Sequence, residues 1–76
     1  MSIVQERMIT QIVSKSSSIV PGDSMKIVFP RRFGSNNVHR VLETILKCTR
    51  LKIISDLVTP NGYHKVDLCL KELSKL

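Results

Sequence analysis

Residues Val38, Val41, Leu42, Ile45, Leu46 and Thr49 recur at the 3, 4, 7, 8 and 11 spacing of one helical face. A chain carrying such a stripe must bury it, so the rest of the fold has to supply a matching apolar layer. The spacing predicts a helix opening near Ser35 or Asn36, both good N-caps. On its far side Asn36, Arg40, Glu43 and Lys47 fall within about 60° of one another. Glu43 and Lys47 stand in the favourable i, i+4 order for an ion pair.

The matching layer is expected from short strands. Met25–Phe29 reads as one strand, ended by Pro30 because proline cannot donate to a ladder. Leu51–Val58 and Tyr63–Leu70 read as a hairpin around Thr59-Pro60-Asn61-Gly62. A four-residue loop is preferred over a two-residue Asn-Gly turn, which would set Asp56 against Asp67. That register puts Asp56 opposite Lys65 and Val58 opposite Tyr63. It also gathers Leu51, Ile53, Leu57, Leu70, Leu68 and His64 on one face. Residues 66–76 read either as strand followed by a short helix from about Lys71 or as mostly helix, because Cys69, Leu70, Leu73 and Leu76 also have helical spacing.

Upstream, Val4, Met8 and Ile12, widened by Ile9 and Val13, predict an amphipathic helix over residues 2–15 with Ser2 as its cap. The serine run at 16–18 and Pro21-Gly22-Asp23 end it in a loop. The expected architecture is therefore α+β, in the order α-β-α-β-β, with a three-stranded sheet packed against helices. One domain should span residues 1–76: a helix and Ser-rich loop over 1–20, and a β-α-β-hairpin core over 25–70. With 76 residues and no Trp, its core must be small and mostly aliphatic. The face carrying Ile54, Val58, Tyr63 and Cys69 is apolar enough to need cover, so a homodimer interface at Ile54, Val58 and Tyr63 is expected.

The net charge is +6, and its distribution is informative. Residues 1–24 and 55–76 are each neutral, whereas residues 25–54 hold Lys26, Arg31, Arg32, Arg40, Lys47, Arg50 and Lys52 against Glu43 alone. A concentrated cationic excess points to an anionic partner, nucleic acid or an acidic protein surface. Within it, Pro30-Arg31-Arg32-Phe33-Gly34 offers two guanidinium forks for phosphate and an aromatic ring for a base. Asn36 and Asn37 bring amides suited to base edges.

Over residues 35–70 the helix and hairpin resemble, in element order, the recognition helix and wing of a winged-helix DNA-binding domain. The resemblance implies that the helix carrying Asn36, Asn37, Arg40 and Lys47 meets DNA. The chain departs from that pattern before the helix, where Met25–Pro30 and the basic loop leave little room for a preceding one. Glu43 departs too, since it would repel a phosphate backbone.

Catalysis is not expected. His39, His64, Asp67, Glu43, Cys48 and Cys69 form no nucleophile or metal spacing, and the three glycines stand alone at turns, so neither metal nor cofactor is foreseen. A basic ribonuclease using His64 or an arginine is the enzymatic alternative. Two cysteines without a disulfide framework, no signal-like N-terminus and no long apolar run suggest a cytoplasmic protein without membrane contact. The expected role is that of a small non-enzymatic, regulatory nucleic-acid-binding protein. The alternative is an adaptor or inhibitor docking on an acidic partner.

Overall fold

Apolar residues on two helices and three strands meet in one layered core in the computed structural model, which describes residues 3–71. The elements follow as α1 (Ile3–Ser16), β1 (Ser24–Phe29), a 3₁₀ turn (Arg31–Phe33), α2 (Ser35–Cys48), β2 (Leu51–Val58) and β3 (His64–Leu70). The proposed C-terminal helix and the Ser2 cap lie outside the described residues. The sheet is antiparallel in the order β1-β3-β2, so the last strand of the chain is the central one. Together these elements make a small compact α+β domain. Its thinnest dimension is 19 Å, enough for a helix layer on one sheet and no more.

Helix α2 forms where its stripe predicts and buries Val38, Val41, Leu42 and Ile45. They pack against Ile27 and Phe29 of β1, Leu51 of β2, and Val66 and Leu68 of β3. The helix begins without a side-chain cap: Gly34 holds the capping position at φ 87°, and Ser35 is already helical. Asn37 ties down the entry by donating from Nδ2 to the Phe33 carbonyl at 2.7 Å. Between β1 and α2 there is only the 3₁₀ turn, so the extra helix of a winged-helix domain has no counterpart here.

Helix α1 is rotated from the expected stripe. Its inward residues are Gln5, Met8, Ile9 and Ile12, while Val4 is exposed. Buried Gln5 donates from Nε2 to Asn37 Oδ1 at 2.6 Å, which gives its amide nitrogen a partner on α2. Ile12 belongs to the core, so this stripe is spent on folding.

The hairpin keeps its expected register only at its base. Leu51 faces Leu70 and Ile53 faces Leu68, but a bulge at Ile54 then shifts every later pair by one. Asp56 faces Val66 rather than Lys65, and Val58 faces His64 rather than Tyr63. Leu57 thereby moves to the outer face beside Lys65, and Val58 to the face of His64. At the tip, Thr59 N donates to the Tyr63 carbonyl at 2.8 Å and Gly62 N to the Thr59 carbonyl at 2.9 Å.

Candidate functional site

Alternation along the strands decides which cations meet. Ile27, Phe29, Leu51, Val66 and Leu68 point to the helices, so Lys26, Val28, Lys52, Lys65, Asp67 and Cys69 point to the other side. No described element lies over that outer face. Its residues form cross-strand rows: Val28, Lys65 and Leu57 in one, Lys26, Asp67 and Ser55 in the next, Ser24, Cys69 and Lys52 in the third. Each row carries one lysine, and neighbouring rows lie about 7 Å apart. Asp67 is the carboxylate on this face among the described residues, and it accepts a hydrogen bond from Ser55 Oγ at 2.9 Å.

The strand ends nearest the hairpin tip add a second feature. Phe29 pairs with His64, so the chain leaves β1 through Pro30 beside Tyr63. Pro30, Arg31, Arg32 and Tyr63 line one open concavity. Gly62 is required there for two reasons. Its φ is +89°, and a Cβ at this position would stand 2.9 Å from both Cγ and Cδ of Arg31. The hairpin tip and the 3₁₀ turn are thus held in contact through the stem of Arg31. Both arginines and the Tyr63 ring are exposed, leaving two guanidinium groups beside an aromatic ring.

Other expected site residues lie elsewhere. Phe33 is half-buried with its ring centroid 5.4 Å from that of Phe29, so it serves the core edge. Asn37 is occupied at both ends of its amide, by Gln5 and the Phe33 carbonyl. Asn36, Arg40 and Lys47 are exposed on the side of α2 turned away from the sheet, opposite Lys26 and Lys52. Lys47 pairs with Glu43 at 3.0 Å. Arg50 lies in the turn into β2, where its carbonyl accepts from Lys71 N at 2.7 Å. The seven cations of residues 25–54 therefore divide between two sides of the molecule.

The chain matches no family model, no curated protein and no solved structure. What the site does has to be argued from its own chemistry.

The residues expected at a dimer interface are likewise split by the bulge. Ile54 and Val58 are exposed along β2, an edge strand, whereas Tyr63 faces the arginine concavity. A histidine cluster lies on the inner side: His64, buried, bonds through Nε2 to Asp56 Oδ1, and its ring stands edge-on to Phe29 and to His39. Among the described residues no three His, Cys, Asp or Glu side chains are arranged to hold a metal ion. No described helix is long and apolar enough to cross a membrane.

Sequence reasoning did not include Lys65 with the cations of the outer face, and it set Tyr63 with Ile54 and Val58 rather than beside Arg31 and Arg32. The signal was present in the alternation His64, Val66, Leu68, which sends Lys65 outward. Lys65 lies in the neutral C-terminal third, outside the segment of net positive charge.

Proposed function

We propose that the protein binds nucleic acid with the bare face of its sheet and the arginine concavity at the end of that face. The observation that carries this reading is the regular placement of cations there. Lys65, Lys26 and Lys52 occupy successive rows, and Arg31 and Arg32 continue the series at the tip. Asp67 offsets one of these five charges. Such an array attracts a polyanion with repeating charge and leaves the backbone in contact with arginine forks suited to phosphate oxygens. It supports a binding role, because the titratable cluster of His64 and Asp56 is on the inner side, away from these cations.

Binding to DNA and RNA oligonucleotides across a salt series tests the reading. Five engaged cations give a log–log salt slope of about −4.5 on duplex or about −3.5 on a single strand. Replacing Arg31 and Arg32 together by Ala lowers the magnitude of that slope by between one and two and weakens binding. The pair Arg40→Ala and Lys47→Ala, on the opposite side, leaves both unchanged. Equal losses from the two pairs would refute the assignment to the sheet face, and absence of any complex at low salt would refute nucleic-acid binding itself.

A second reading draws on the β2 edge. Ile54, Leu57 and Val58 are all more than half exposed on this strand, close to the cationic tip. An adaptor or inhibitor would use that apolar edge with Arg31 and Arg32 against an acidic protein surface, and a second copy of the chain could cover Ile54 and Val58. A partner retained from nuclease-treated lysate through Arg31 and Arg32 supports the adaptor.

A further inference from the structure

The outer face is not uniformly polar. Val28 and Leu57 are each 52% exposed and flank Lys65 in the row nearest the tip, and Tyr63 is 45% exposed beside the two arginines. Phosphates satisfy the lysines and arginines, but they give nothing to exposed aliphatic and aromatic carbon. In a duplex the base faces are stacked on one another and a flat protein surface meets mainly the sugar-phosphate backbone. Unpaired bases present flat apolar faces together with their phosphates, which is the combination that this surface complements.

From this we infer that the ligand of the sheet face is single-stranded nucleic acid, with Tyr63 as the platform on which an unpaired base stacks while Arg31 and Arg32 hold the adjoining phosphates. The inference rests on the nucleic-acid reading and narrows it. The geometry of the tip fits the assignment. The stem of Arg31 lies against Gly62, the residue before Tyr63, and Arg31, Arg32 and Tyr63 line the same concavity. Beyond the ring, the strand's path continues over Val28 and Leu57, with a lysine in each row to follow the backbone. Any base can use such a platform, so sequence preference is weak.

The chain supplies its own reporter, because Tyr63 is its single tyrosine and it has no tryptophan. Intrinsic fluorescence is recorded while the folded protein is titrated with an unlabelled 12-nucleotide strand, the same strand annealed to its complement, and heparin as a polyanion without bases. The expected result is saturable quenching by the single strand, with neither duplex nor heparin quenching at equal charge concentration. Tyr63→Ala then weakens single-strand binding by about five- to a hundredfold. Tyr63→Phe restores it, and duplex affinity is unaltered by either change. Circular dichroism confirms that the variants remain folded.

Binding of single strand and duplex with equal affinity and no quenching overturns the stacking inference and leaves the nucleic-acid reading standing. Failure of all nucleic acids to bind overturns both. Loss of single-strand affinity in Tyr63→Phe as large as in Tyr63→Ala overturns the role of the ring, since the phenol hydroxyl would then be the group that matters.

Discussion

The two faces of the sheet are made from alternate residues of the same three strands, yet they have opposite fates. The inner face contributes Ile27, Phe29, Leu51, Val66 and Leu68, each under a tenth exposed, and is closed by α1 and α2. The outer face contributes Lys26, Val28, Lys52, Lys65 and Leu57 and has no described element over it. Burial of apolar surface is what stabilises a small domain, so the inner face carries the folding free energy. Substitution of the outer face's exposed residues is therefore expected to cost little stability. Strand parity thus places the residues of the core and those of the proposed binding surface on opposite faces of the same strands.

The sharpest way to break this division is to cut into the central strand from each side. Leu68 is fully buried at the middle of β3, between Met25 and Ile53 in the ladder. Leu68→Ala removes three side-chain carbons, one methine and two methyls, from a fully buried site, at a cost of about 2–5 kcal/mol. A domain of this length has only about 4–11 kcal/mol in total. Urea unfolding should therefore show a large drop in midpoint. A loss below about 1 kcal/mol would mean that the sheet is not the centre of the core.

How much of this was open to sequence reasoning differs between the same two faces. Inner positions were largely legible, because burial imposes periodicity: the α2 stripe and the base of the hairpin follow from spacing alone. Gln5 was not, since a polar residue is discounted in an apolar pattern even when its spacing to Met8, Ile9 and Ile12 is that of a helix face. Its burial depends on Asn37, a partner 32 residues away that periodicity does not reveal. The bulge at Ile54 was illegible for a similar reason. One extra residue in an edge strand leaves no mark in composition, yet it reverses the facing of Leu57 and Val58. Charge clustering was the least reliable guide. Lys26 and Arg40 are close in the chain, but one follows strand parity away from the core and the other stands on the far side of a helix packed against it.

An intermediate perturbation addresses the seam between the faces. Gly62 joins the hairpin tip to the 3₁₀ turn, and Gly62→Ala places a side chain at positive φ and drives its Cβ against Cγ and Cδ of Arg31. The backbone term is about 1–2 kcal/mol, and the arginine must swing away from the tyrosine. Thermal unfolding should fall by several degrees, and the arginine-dependent part of oligonucleotide binding should fall with it. Arg31→Ala in the Gly62→Ala background separates the two effects. If removing the arginine stem recovers part of the lost stability, the close approach is the cause. If nothing is recovered, the loss is purely conformational.

The smallest expected stability effect is the most telling about the outer face. Lys65 lies at the centre of that face on β3, between Val28 and Leu57, immediately before a residue of the core. Its side chain is exposed, so Lys65→Ala should change unfolding free energy by no more than about 0.5 kcal/mol in either direction. Alanine has a low strand propensity comparable to lysine, which leaves little backbone term to confuse the result. On nucleic acid the same change should lower the magnitude of the salt slope by about 0.7 for a single strand, the share of one neutralised phosphate. A neighbouring inner position, Val66→Ala, should do the reverse, weakening the fold while leaving the slope of the remaining folded protein intact. Should Lys65→Ala instead destabilise the chain as strongly as Val66→Ala, the outer face would have to be covered in solution. The surface assigned here to a ligand would then be part of the core of a larger assembly.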